Sequence, residues 1–94
     1  MTTELNDFSV LIADDDAIAQ RLMESVLGSI GIGSVALAED GAVALACHDS
    51  MPGGVDFVLL DIDMPGMDGL EFLRHLSHRP VRPAIILIGS GDKA

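Results

Sequence analysis

Val55-Asp56-Phe57-Val58-Leu59-Leu60 runs directly into Asp61-Ile62-Asp63-Met64-Pro65-Gly66-Met67-Asp68-Gly69. The first part reads as a short buried strand and the second as a loop punctuated by Pro65 and Gly66, so Asp61 is a carboxylate at the mouth of an apolar strand. Upstream, Ser9-Val10-Leu11-Ile12-Ala13 is another apolar run, and it ends in Asp14-Asp15-Asp16. If the two runs lie side by side as parallel strands, their C-terminal ends gather several carboxylates in one crevice, where open α/β sheets bind ligands. Mutual repulsion there calls for a cation. Oxygen donors suit a hard divalent ion, Mg²⁺ above all.

Outward from these runs, strand-like and helix-like segments alternate. From Ala17 the apolar residues Ile18, Leu22, Val26 and Ile30, with Met23 and Leu27 beside them, trace a helical stripe that Asp16 can cap. Gly28, Gly31 and Gly33 break it. Val35, Leu37 and Glu39 alternate as a short strand, and Asp40 caps an alanine-rich helix from Ala42 to about His48. Met51-Pro52-Gly53-Gly54 is a loop. After the strand Phe57–Leu60, Asp68 opens a third helix with Leu70, Leu73 and Leu76 on one face and Phe72 able to join them. Arg79-Pro80-Val81-Arg82-Pro83 stops that helix, Ala84–Ile88 is a last apolar strand, and Gly89-Ser90-Gly91-Asp92-Lys93-Ala94 follows. The order βαβαβαβ predicts an α/β fold, a doubly wound parallel sheet with helices on both faces.

Ninety-four residues suit one small domain. Fifteen acids against five basic residues give a formal charge of −10, which argues against nonspecific binding to nucleic acid or anionic membrane and favours a metal or a basic partner surface. The lone Cys47 excludes an internal disulfide and suits a reducing compartment, although its simplest reading is a small hydrophobe on a helix. No apolar stretch approaches transmembrane length, and the acidic start Met1–Asp7 is unlike a signal peptide, so a cytoplasmic location is expected.

Acids after the first strand, Asp61 ending the third, Met64-Pro65-Gly66-Met67-Asp68-Gly69 after it and Ser90-Gly91 after the fourth occur in the order of a known family. Over nearly its whole length the chain resembles the receiver domain of two-component response regulators, which has a flavodoxin-like fold of the chemotaxis-regulator type. That resemblance implies that Asp61 is the phospho-acceptor and a metal ligand, that Asp14 and Asp15 are the acidic pair holding Mg²⁺, and that Asp63 adds a backbone carbonyl to the metal shell. Ser90 corresponds to the hydroxyl that contacts the phosphoryl group, a position that Gly89 takes if the strand shifts by one residue. The implied partner is a sensor histidine kinase or phosphotransfer protein. The implied activity is phosphorelay signalling, with no enzymatic role beyond self-phosphorylation and autodephosphorylation.

The family's strand order 2-1-3-4-5 adds a fifth strand bearing a lysine and an aromatic residue. Lys93 follows Ser90 too closely to be that lysine, and no aromatic residue lies beyond Phe72. The resemblance therefore implies a receiver domain over residues 1–94 that lacks its last strand and helices, either a shortened product or a short receiver completed by another molecule. On that reading the fourth strand is an apolar sheet edge, which predicts a homo-oligomer through Ile85, Ile86, Leu87 and Ile88. One sheet face and part of the first helix are also uncovered.

Other readings use the same residues. Asp14–Asp16 can serve as a helix cap with dipole-compensating acids, which suits Asp16; for Asp14 and Asp15 the site is the better reading. Asp68 reads as a cap, His48, His75 and His78 as solvated, and Met23, Met51, Met64 and Met67 as core or loop filler. A degenerate receiver acting as an interaction module is the alternative to a phosphorylated one. Asp61-Ile62-Asp63 also fits the Asp-x-Asp of haloacid-dehalogenase-like phosphatases, a more distant reading because that class needs a downstream lysine and acidic pair. An EF-hand loop starting at Asp61 would put Pro65 and Phe72 at ligand positions five and twelve, and is rejected.

Overall fold

Strand β1 (Ser9–Ala13) is buried from Val10 through Ala13, as a central strand covered on both faces must be. The computed structural model describes residues 4–88. Beside β1 lie β2 (Ser34–Ala38) and β3 (Phe57–Leu60), and β4 (Ala84–Leu87) pairs with β3, giving a parallel sheet of order β2-β1-β3-β4. The connections are α1 (Ala17–Ser29), α2 (Gly41–Ser50) and α3 (Gly69–Leu76), each capped at its start by the expected aspartate. Asp16 accepts from the Ile18 and Ala19 amides, Asp40 from Val43 and Asp68 from Glu71. A short 3-10 turn, Leu5–Asp7, precedes β1.

Register places Ala13 opposite both Ala38 and Leu60. A clamp at the other end of the strands sets it: the Asp56 carboxylate accepts from the Ser9 amide at 2.8 Å and the Ser9 hydroxyl at 3.2 Å, while the Asp56 amide donates to the Ser9 carbonyl at 3.1 Å. In a parallel pair whose faces are both buried, a one-residue slip would exchange every side chain between faces. The chain leaves β1 toward β2 and returns to β3 on β1's other side. The strand order therefore reverses between β1 and β3.

The two faces are unequally covered. Leu11, Ala13, Ala38, Val58 and Leu60 pack with Ala44 of α2 and Phe72 and Leu76 of α3 in one buried cluster. On the opposite face Val10 and Ile12 are buried, and α1 lies against β1 and β2. Ile18, Leu22 and Val26 of α1 and Ile30 at its C-cap are 80%, 65%, 52% and 54% exposed, so the stripe read from the sequence points outward. Ile86 is also 49% exposed.

Several expectations need correction. Leu70 is exposed, and α3 instead buries Gly69, Phe72 and Leu76 with Leu73 half-buried, the set that faces the sheet at 100° per residue. Glu39 lies beyond the end of β2. His48 is buried, because α2 carries it against the chain entering β3, where its Nδ1 accepts the Val55 amide at 3.2 Å. That bond places the ring proton on Nε2 in the neutral form. At the same end, Arg79 grips Asp49 through two bonds of 2.8 and 2.7 Å, and its guanidinium holds the Asp49 carboxyl below the usual carboxylate range. Cys47 is half-buried and packs against the core, as a small helix hydrophobe does.

Candidate functional site

Asp14 and Asp61 each follow the last residue of a central strand, and the register Ala13↔Leu60 makes them neighbours across the switch point. The ladder continues past the strand ends, with the Asp61 amide donating to the Ala13 carbonyl at 2.9 Å and the Asp14 amide to the Ala38 carbonyl at 3.0 Å. Both carboxylates are thereby held by backbone that belongs to the sheet. Asp14 and Asp61 are 7% and 2% exposed, and Asp15 is exposed.

One carboxylate oxygen from each of Asp14, Asp15 and Asp61 lies within 4.8 Å of the others. Local turns orient them: Asp14 Oδ1 accepts the Asp16 amide at 2.9 Å, and Asp61 Oδ1 accepts the Asp63 amide at 3.1 Å. Asp63 is thus brought to the site through its backbone, and its carboxylate is not in the three-acid cluster. Asp16 and Asp68 are caps, as expected. Ser90, and the alternative Gly89, lie outside the described residues.

The donor set fits Mg²⁺. All three donors are hard anionic oxygens, and opposite ligands of an octahedral Mg²⁺ stand about 4.2 Å apart at ~2.1 Å from the metal. Only one pair among three such ligands can be opposite and adjacent ones stand about 3.0 Å apart, so the oxygens, now within 4.8 Å of one another, would draw together around the ion. The loop after Asp61 is braced on two sides. The Gly69 amide donates back to the Ile62 carbonyl at 2.9 Å, and the Gly41 amide at the start of α2 donates to the Met67 carbonyl at 2.7 Å. Met64 turns inward and joins the core at 7% exposure, anchoring the loop from beneath.

Sequence reasoning overlooked Gln20, whose Nε2 donates to the carbonyls of Asp14 at 2.6 Å and Ala38 at 2.9 Å. An amide side chain directly after Ala17-Ile18-Ala19, in the first turn of α1 and six residues from Asp14, was the available signal.

The model of the response regulator receiver domain matches residues 10–94. Among curated proteins, the cyclic di-GMP phosphodiesterase RocR of Pseudomonas aeruginosa is 40% identical over 94% of this chain, which spans 22% of that protein. The chemotaxis protein CheY of the same organism is 37% identical over 77% of this chain and 61% of its own length. The chain therefore covers less than two thirds of either relative. A chain of the CheX–CheY complex of Borrelia burgdorferi with BeF3 and Mg²⁺ superposes with a TM-score of 0.81 at 30% identity, covering 88% of this chain and 62% of that one. The acidic cluster accords with the Mg²⁺ of that complex.

Proposed function

Because this chain belongs to the response regulator receiver domain family of two-component signalling, we propose that it accepts a phosphoryl group on Asp61 with Mg²⁺ held by Asp14, Asp15 and Asp61. The observation that carries this reading is the convergence of those three carboxylates at the β1/β3 switch point. An Asp61 carboxylate oxygen attacks phosphorus of a phosphohistidine on a histidine kinase or phosphotransfer protein. The new O–P bond forms as the N–P bond breaks, leaving an aspartyl phosphate and, from a phosphohistidine protonated on its other ring nitrogen, a neutral histidine. Bound Mg²⁺ would neutralise charge between an anionic nucleophile and an anionic phosphoryl group, the main obstacle to this transfer. Asp14 and Asp15 would supply the anionic oxygens that hold the ion and the Asp63 carbonyl a neutral one, while the Asp63 amide fixes the Asp61 rotamer through its bond to Oδ1. By its resemblance to the family, Ser90 would offer a hydroxyl to the transferred phosphoryl group. Water attack on the acyl phosphate then resets the site.

The test is metal-dependent stability. At ten times the dissociation constant, Mg²⁺ should stabilise the fold by about 1.4 kcal/mol, a rise of several degrees in Tm for a domain of this size. Asp15→Ala should abolish the rise. A Tm indifferent to Mg²⁺ in the unsubstituted chain would overturn the assignment.

Self-association through the outer edge of β4 is the second part of the proposal. The Ala84 and Ile88 amides donate inward to β3, so by strand alternation the backbone groups of Ile85 and Leu87 face outward. Ile86, Leu87 and Ile88 are 49%, 57% and 36% exposed, whereas Ile85 packs toward the core. Two such edges can pair antiparallel about a two-fold axis. The formal charge of −10 per chain opposes this, so dimerisation should strengthen with salt. Light scattering should report a dimer that Ile86→Lys converts to monomer or aggregate and Arg74→Lys leaves intact; a monomer for the unsubstituted chain at micromolar concentration and high salt would count against it.

A further inference from the structure

Gln20 holds an unusual pair of acceptors. Its Nε2 donates to the Asp14 carbonyl at 2.6 Å, just past the end of β1, and to the Ala38 carbonyl at 2.9 Å, at the end of β2. A primary amide has two N–H donors, and both are engaged here. Both partners are carbonyl oxygens, so the opposite orientation of the amide would set oxygen against oxygen. The Ala38 carbonyl also accepts the Asp14 amide at 3.0 Å. Gln20, Ala38 and both backbone groups of Asp14 thus form one closed arrangement.

We propose that Gln20 is a positioning residue for the metal site, acting through the backbone of Asp14 to aim the Asp14 and Asp15 carboxylates at Asp61. The proposal rests on the metal-dependent phospho-acceptor reading. Asp14 is gripped at its amide by Ala38 and at its carbonyl by Gln20, and its side chain closes onto the Asp16 amide at 2.9 Å. With the carbonyl released, the peptide between Asp14 and Asp15 can turn, and the Asp15 carboxylate turns with it. Ion binding then has to order the turn before three carboxylates converge, a cost that a preorganised site avoids. The Gln20 amide nitrogen acts on backbone carbonyls and leaves the carboxylates to the ion.

Titration calorimetry with Mg²⁺ on the whole chain separates this from a purely structural role. Gln20→Met keeps the length and volume of the side chain but has no donor, and should raise the Mg²⁺ concentration at half-saturation about fivefold, with helix content by circular dichroism unchanged. Arg21→Ala, next to it on α1, should leave Mg²⁺ binding as it was. If Gln20→Met fails to fold, Gln20→Asn carries the same comparison, since the shortened amide cannot reach both carbonyls at once. Unaltered Mg²⁺ affinity in the Gln20 variants, with a lowered Tm in chelator, would overturn the positioning role and leave the phospho-acceptor reading standing. Absence of Mg²⁺ binding in the unsubstituted chain would overturn both.

Discussion

Asp61→Asn should leave the chain without any hydroxylamine-sensitive acyl phosphate after incubation with acetyl phosphate and Mg²⁺, and should make the metal-free protein more stable. The first outcome follows from removing the nucleophilic oxygen. The second follows from electrostatics. Three carboxylates stand with oxygens within 4.8 Å of one another. Two unit charges at that separation repel by roughly 1 kcal/mol in bulk water and more where the dielectric response is weaker. Asn has nearly the shape of Asp, and its Oδ1 can still accept the Asp63 amide that Asp61 accepts at 3.1 Å. The substitution therefore removes charge while sparing the turn. A gain of about 1 kcal/mol in chelator is expected, lost or reversed when Mg²⁺ is added, because the variant holds the ion less tightly. Equal or lower stability in chelator would mean that the cluster is not under net repulsion. A label that survives both Asp61→Asn and Ser90→Ala would place the acceptor elsewhere.

Much of this site was legible in the sequence because it depends on features with short-range signatures. Carboxylates directly after apolar runs mark strand ends, and alternation of period marks a parallel sheet; together they put Asp14 and Asp61 at neighbouring C-termini without any long-range information. The helix caps were readable for the same reason. Asp16, Asp40 and Asp68 act on amides two or three residues away.

What could not be read depends on contacts between residues far apart in the chain. The Asp56 clamp joins residues 47 apart and sets the β1/β3 register on which the site rests. In the sequence it was only a polar residue inside an apolar run. Gln20 reaches Ala38 across 18 residues. His48 looked solvated because it stands near the end of a predicted helix without metal-ligand spacing, yet Gly54 lies directly against its ring. The face of α3 was misassigned because a leucine was weighted above a phenylalanine at similar spacing; the sheet selects Phe72, fully buried, and leaves Leu70 56% exposed. Hydrophobicity identified the amphipathic helix, but which residue leads its buried face was decided by the position of the sheet.

The same distinction between local and tertiary signals gives opposite signs for one substitution at three glycines. Gly28→Ala, near the end of α1, should stabilise the protein by about 0.5–1 kcal/mol, since a Cβ there meets nothing within 4 Å and alanine is the better helix former. Gly41→Ala and Gly69→Ala should do the reverse. A Cβ on Gly41 would stand 2.6 Å from the Met67 carbonyl oxygen, and one on Gly69 would stand 2.8 Å from both the Asp61 carbonyl oxygen and the Ile62 Cα. In each case the obstruction includes backbone, so the loop must move instead of a side chain swinging aside. Overpacking of this kind costs typically 1–3 kcal/mol. The obstructed atoms belong to the loop from Asp61 to Met67, so the damage should reach the chemistry as well as the fold. Both variants should show weaker Mg²⁺ binding and slower acyl-phosphate formation at temperatures where circular dichroism still reports a folded chain, with Gly69→Ala the worse because it presses on Asp61 itself. If Gly41→Ala and Gly69→Ala lose stability but keep Mg²⁺ affinity, the loop is not the part that yields, and Asp61 is held by the ladder from Ala13 alone.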